Sequence, residues 1–156
     1  MSRNSTIQEW QPPKIYDIRD TAFPIFEPPA TDYSSVSHET PLVIDNGSWH
    51  FRAGWATEDT PRLDIPSLIA RWRDRKAQQT YTLVGNDVNV DGMARSNAKS
   101  PYDLNLIANY DLLEGVYDYI FHKLGVSGDG SVDHPVVMTE PVSTPFHNRK
   151  CTIESG

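Results

Sequence analysis

The residues best suited to chemistry lie close together, in the run Asp45-Asn46-Gly47-Ser48-Trp49-His50-Phe51-Arg52. Two readings of this run stand side by side. By spacing it is a tight turn, because Asn-Gly readily supplies the positive φ angles that a two-residue hairpin connection requires. In the functional reading, successive backbone N–H groups over Asn46, Gly47, Ser48 and Trp49, together with the Ser48 hydroxyl, face a phosphate, and Asp45 is held near its metal ion. Arg52 alternates to the same side of the chain as Ser48 and is placed to pair a phosphate oxygen.

A second group is electrostatic. Arg71, Arg73, Arg75 and Lys76 surround Trp72 and form the one dense basic run of the chain. Such a run is either a solvated strand end with its charges outward, or a contact with DNA phosphates or with an acidic partner surface, since arginine grips phosphate well. A DNA contact would weaken steeply with salt. The other reactive side chains form no constellation. His38, His50, His122, His134 and His147 show no i, i+4 pair and no acidic companion at ligand spacing, so a zinc site is not expected. Ser48, Ser67 and Ser143 lack a nucleophile elbow, and Cys151 beside Lys150 is either a reactive thiol or an exposed one.

These residues must be positioned by a chain of 156 residues with a formal charge of −7, 38% hydrophobic and 22% charged residues. The acidic balance argues against a surface that binds nucleic acid throughout. A single cysteine excludes an internal disulfide and favours a reducing compartment. No stretch has signal-peptide character or the length to span a bilayer, so neither secretion nor membrane insertion is expected. Six of the twelve prolines fall in the first 41 residues. Residues 1–40 are therefore expected to be an extended or disordered arm whose Trp10, Ile15, Tyr16, Phe23 and Phe26 dock on a partner.

From Pro41 the pattern turns to strands. Leu42-Val43-Ile44 and the alternation of Trp49, Phe51, Ala53 and Trp55 with His50, Arg52 and Gly54 predict a hairpin. Residues 62–65 and 67–70 suggest a second pair interrupted by Pro66, and Tyr81–Val84 a shorter strand. Residues 86–101 are polar and broken by Gly92, which suggests a loop or insertion. A helix follows, with Asn109 as N-cap, Lys123 in the last turn, Gly125 as the stop, and Leu112, Val116, Ile120 and Leu124 as a stripe flanked by Leu113, Tyr117 and Phe121. His134–Pro141 is expected to be a buried strand, and residues 146–156 a divergent, unstructured tail.

The ordered segments resemble the actin family. Pro41–Ser48 followed by Arg52-Ala53-Gly54-Trp55-Ala56 looks like the opening hairpin of that family, and Pro61-Arg62, Pro66-Ser67-Leu68-Ile69, Val84-Gly85-Asn86-Asp87, Ala108-Asn109-Tyr110-Asp111 and His134–Pro141 are similar to later segments in the same order. The match covers residues 41–145. It implies an α/β fold, a partial actin-like, ribonuclease-H-like mixed sheet with one main helix. It also implies a nucleotide site, with ATP or ADP held by Asn46, Gly47, Ser48, Trp49 and Arg52 and magnesium near Asp45. Residues 71–76, residues 110–115 and the arm around Pro12-Pro13-Lys14-Ile15-Tyr16 look most like the nuclear actin-related proteins. That likeness implies a subunit of an Ino-eighty type chromatin remodeller, with other subunits as partners and nucleosomal DNA met through Arg71, Arg73, Arg75 and Lys76.

The chain departs from the family at Trp49, where actin has a glycine, and it stops before the second phosphate loop. Half of a phosphate clamp is expected to give no useful ATPase, because phosphoryl transfer depends on positioning from both sides. The first functional expectation is therefore a non-catalytic scaffold or interaction subunit. Its rival is an ATP-handling enzyme of the actin, chaperone and sugar-kinase superfamily. A partial fold is also expected to leave the Leu112–Leu124 stripe only partly covered and a sheet edge unpaired.

Overall fold

The computed structural model describes residues 36–76, 78–90, 92–126, 132–142 and 144–155. The expected arm, up to residue 35, lies outside the described residues. The folded unit begins before Pro41: Val36 packs against the core, and the His134 ring nitrogen Nδ1 lies 3.1 Å from the Thr40 carbonyl oxygen.

Strands β1 (Leu42–Asn46), β2 (His50–Trp55) and β3 (Leu63–Pro66) form an antiparallel meander. Alternation assigns their faces. Leu42, Ile44, Phe51, Ala53, Trp55, Leu63 and Ile65 point inward and are buried, while Val43, Asp45, Arg52 and Asp64 point outward. Strands β4 (Ile69–Asp74) and β5 (Gln79–Val84) make a second antiparallel pair. The sequence-expected pairing of residues 62–65 with 67–70 does not occur. Pro66 ends β3, Ser67 turns the chain, and each segment pairs elsewhere, because Ile65 lies opposite Phe51 and Ile69 opposite Val84.

The stretch expected as a loop is partly ordered. A 3-10 turn (Gly85–Asn89), helix α1 (Gly92–Asn97) and strand β6 (Ala98–Lys99) bury Val88 and Ala94 beside Ala70, with Trp72 and Leu83 packed against them. Small side chains spaced irregularly leave little periodic signal. Strands β7 (Tyr102–Asp103) and β8 (Leu106–Ile107) form a short hairpin, with Leu104 held at φ 55° in its turn.

Helix α2 (Tyr110–Lys123) starts as the capping residue dictates: Asn109 Oδ1 accepts the Leu112 N–H at 3.0 Å. Its buried face is Leu113, Val116, Tyr117 and Ile120, continued by Leu124, all between 0% and 1% exposed. Each large apolar side chain so buried contributes about 1.5–3 kcal/mol, which together exceed by far the roughly 1 kcal/mol that Gly115 costs the helix. Gly115 lets Ile69 and Arg71 approach closely: a Cβ there would lie 2.9 Å from Ile69 Cδ1, and that side chain would have to shift. The expected stripe is thus rotated toward Leu113 and Tyr117, leaving Leu112 and Phe121 half-buried, and it is covered within this chain.

Strand β9 (Val136–Met138) joins the first sheet in parallel with β1, giving the order β3-β2-β1-β9 and a mixed sheet. It is an edge strand, and its expected burial is not found: Val136 is 41% and Val137 56% exposed. The expected unstructured tail is also corrected, because residues Phe146–Ser155 form helix α3. Polar contacts hold it in place. Asn148 Nδ2 donates to the Ile107 carbonyl, Tyr110 OH donates to the Asn148 carbonyl, and Arg149 pairs with Glu140. With Phe146 81% and Ile153 76% exposed, this helix has no apolar stripe from which to recognise it.

Candidate functional site

The β1–β2 connection carries the expected site residues, but its geometry differs from a two-residue turn. Asn46 pairs with Phe51, so the loop runs through Gly47, Ser48, Trp49 and His50, and neither Asn46 nor Gly47 has a positive φ. Glycine is required at 47 for space: a Cβ would sit 2.5 Å from the His50 carbonyl oxygen. Buried Ser67, at the exit of β3, fastens the loop. Its hydroxyl donates to the Gly47 carbonyl at 2.6 Å and its N–H to the Trp49 carbonyl at 2.9 Å.

This clamp has a consequence for the amides. In a trans peptide the N–H points opposite to the carbonyl of the preceding residue, and no cis bond occurs here. With the carbonyls of Gly47 and Trp49 turned to Ser67, the N–H groups of Ser48 and His50 point to the other side. Trp49 carries its indole into solvent at the tip, 83% exposed, and the Ser48 hydroxyl donates to Asn105 Oδ1 at 2.8 Å, in the β7–β8 turn.

Beneath the loop the register builds a ladder of charge. Asp45 lies opposite Arg52, and Arg52 opposite Asp64, on the outer face of three adjacent strands. Arg52 Nη1 reaches Asp45 Oδ2 at 3.3 Å and Arg52 Nε reaches Asp64 Oδ2 at 3.2 Å, while His50 Nδ1 lies 2.6 Å from Asp64 Oδ1. Asp64 and then Asp45 hold the Arg52 guanidinium above its ordinary range. Burial by itself raises the Asp64 carboxyl, but the hydrogen bond to His50 and the Arg52 charge outweigh it, and the carboxyl sits below its ordinary range. Asp45 is bound on its other side by Thr139, whose hydroxyl donates to Asp45 Oδ1 at 2.7 Å and accepts the Asn46 N–H at 2.9 Å. An open groove of about 380 Å³ runs along this face from Asp45 and Arg52 to Glu58 and Asp59.

On the inner face, Asn46 roots the loop. It is 2% exposed, and Tyr102 OH donates to its side-chain oxygen at 2.6 Å and to its carbonyl at 3.1 Å. Burial raises the Tyr102 hydroxyl well above its ordinary range, so it remains a proton donor. Tyr117 is raised likewise by burial, and its hydroxyl donates to Met138 Sδ at 3.3 Å.

All six expected residues, Asp45 to Trp49 and Arg52, are therefore gathered in one place, although the Asn46 side chain faces the core and the Arg52 cation faces two carboxylates. The basic run, Arg71 to Lys76, belongs to the separate β4–β5 ribbon. Sequence reasoning missed Asp64, Thr139, Tyr102 and Asn105 as neighbours of the loop, and the contact His50 makes from within it. Asp64 was legible in principle from strand alternation, but only the β2–β3 register brings it to Arg52. Thr139 is 94 residues from Asp45 and meets it through the parallel β1–β9 pairing.

With this geometry in view, the comparisons with known proteins are informative. The family model described as Actin matches residues 36–155. The chain belongs to the actin family, with an actin-like mixed sheet and helices. Within it, the chain is similar to "Actin-like protein arp5" of Schizosaccharomyces pombe, 46% identical over 141 residues, covering 90% of this chain and 19% of the relative. It is also similar to "Actin-related protein 5" of Gallus gallus, 38% identical over 150 residues, covering 90% and 24%. The protein of that name from Saccharomyces cerevisiae is 37% identical over 116 residues, covering 74% and 15%. The chain thus spans about a fifth of the length of these curated relatives. The family match also runs through α3.

Proposed function

We propose that this chain is a non-catalytic actin-related scaffold segment of a nuclear chromatin-remodelling complex, in which the β1–β2 loop forms one side of an ATP or ADP site. The observation that carries this reading is the state of the loop's side chains. Arg52 is shared by two carboxylates, Asp45 is bound by Arg52 and Thr139, and the Ser48 hydroxyl is spent on Asn105. The backbone N–H groups of Ser48 and His50 point away from the Ser67 clamp, which suits an anion as a structural ligand.

Hydrolysis asks for more. It needs charge placed on the transferring phosphoryl group and a group that orients the attacking water. A magnesium ion is chemically suited to the oxygens of Asp45 and Thr139, and when bound it would neutralise phosphate charge. Arg52 would then have to leave Asp45 for the phosphate. Asp64, directly across the sheet, opposes that movement.

Calorimetry of the full chain with Mg-ATP and Mg-ADP tests the nucleotide half of the proposal. Weak binding or none, without turnover, is expected; phosphate release that disappears in Asp45→Ala would reverse the order of the two readings. The scaffold half is tested by recovering an epitope-tagged full chain from nuclear extract. Co-recovery of the remodeller's motor subunit is expected, reduced on deletion of residues 1–40. Exclusion of the tagged chain from nuclei would end the proposal.

A further inference from the structure

The β4–β5 ribbon has an electrostatic character unlike the rest of the molecule. Its register sets Arg71 opposite Thr82 and Arg73 opposite Thr80, so two cations and two threonines share one face. On the other face Trp72 stacks on Tyr81, with ring centroids 5.5 Å apart and planes 24° from parallel. Arg75 and Lys76 follow in the turn, both exposed. Among the described residues none of these four cations lies within ion-pair distance of a carboxylate. Arg73 donates to the neutral amide oxygen of Gln78 at 3.0 Å. Elsewhere Arg52 and Arg149 have carboxylate partners. In a chain of net charge −7, four cations against the one carboxylate of Asp74, which accepts the Lys76 N–H at 2.7 Å, form within six residues a concentrated basic patch on an acidic body.

The same ribbon offers an open strand edge. The sheet order is β5-β4-β6, which leaves β5 at the margin, and residues 79–82 are exposed. Natural edge strands are commonly blunted by proline or inward charge. Here the edge residues are Gln79, Thr80, Tyr81 and Thr82, with neither.

We propose that the outer edge of β5 accepts an extended acidic peptide segment of a partner protein, added as a further strand, with its carboxylates met by Arg71 and Arg73 across the ribbon and by Arg75 and Lys76 at its tip. The spacing fits. Arg71 and Arg73 are two residues apart on one face, about 6.6 Å, which is also the repeat of alternate side chains on an added strand. Thr80 and Thr82 are short enough for the arginines to reach over them. Backbone pairing would provide the seat and the cations the selectivity.

Duplex DNA fits less well. The helix beside the basic face places Gly115 against Arg71 Nη2 and carries the exposed acids Asp111, Glu114 and Asp118. A long polyanion would meet these and the net negative charge of the chain, whereas a single added strand meets only the ribbon.

The inference is independent of the nucleotide reading and is tested on the full 156-residue chain. The probes are a peptide of about eight residues alternating Glu and Thr, long enough for one strand, and its Gln-Thr counterpart. A duplex of about 20 base pairs, at the same ionic strength, is the third probe. Binding of the Glu peptide is expected, with slowed amide exchange at residues 79–82. Combined Arg71→Gln, Arg73→Gln, Arg75→Gln and Lys76→Gln should weaken it about tenfold or more, the circular dichroism spectrum being unchanged because all four side chains lie at the surface. The proposal fails if the duplex binds more tightly than the peptide, if neither binds, if the Gln-Thr peptide or the fourfold variant binds equally well, or if the β5 amides gain no protection.

Discussion

Replacing Tyr102 by Phe isolates one hydroxyl at the root of the candidate site. The ring stays, with its packing on Phe51 at 6.0 Å, and only the hydroxyl is lost. That hydroxyl donates to both the side-chain and the backbone oxygen of Asn46, a residue 2% exposed. Its removal leaves a buried amide oxygen without a donor. Stranding a buried acceptor costs about 1–3 kcal/mol, more than the average net worth of a hydrogen bond. Tyr117→Phe is the matched control. Tyr117 is buried too, 1% exposed against 8% for Tyr102, and it also lies beside the Asn46 amide, but its hydroxyl donates to the sulfur of Met138, a weak acceptor, so a loss below about 1 kcal/mol is expected. The assay is urea unfolding of the full chain followed by circular dichroism. With a slope of about 1–3 kcal/mol/M for a small domain, Tyr102→Phe should lower the midpoint by roughly 1 M and Tyr117→Phe by much less. Equal midpoints for the two variants would refute the idea that Tyr102 seals the loop to the core.

Two further expectations concern the same loop. Gly47→Ala places a Cβ 2.5 Å from the His50 carbonyl, a backbone atom that cannot swing aside, so a loss of about 1–3 kcal/mol is expected. At Gly92 nothing lies within 4 Å, and Gly92→Ala should be neutral or stabilising by up to about 1 kcal/mol; equal destabilisation of both variants would show that space at 47 is not the reason for glycine. The depressed Asp64 carboxyl makes a pH-dependent contribution. A group held below its ordinary 3.8 in the fold binds its proton more readily when unfolded, so its stabilisation is complete above that value and is lost as pH falls through the lower folded one. The stability gap between the parent chain and Asp64→Asn should therefore hold above 3.8 and narrow as the pH falls below it, and a gap that does not change would count against the His50–Asp64–Arg52 network.

Local chemistry made much of this protein legible from its residues in order. Asn109 announced the start of α2 because its side chain can cap only a helix that begins there, and Asp45-Asn46-Gly47-Ser48 marked the loop between β1 and β2. The alternation of Phe51, Ala53 and Trp55 identified the inner face of β2 for the same reason, since side chains two residues apart on a strand share a face. Pairing could not be read in this way. Whether Arg52 meets a phosphate or two carboxylates depends on the register of three strands, and whether Asp45 is bound by Thr139 depends on a parallel contact spanning 94 residues. Helix α3 escaped notice because polar anchors to Ile107 and Tyr110 hold it, and polar contacts impose no hydrophobic period. The sequence by itself determined the elements with a period or a cap and the residues of the loop. Tertiary structure alone decided which charges those residues face, because hydrogen-bond partners far apart in the chain are chosen by strand register and packing, which no local pattern encodes.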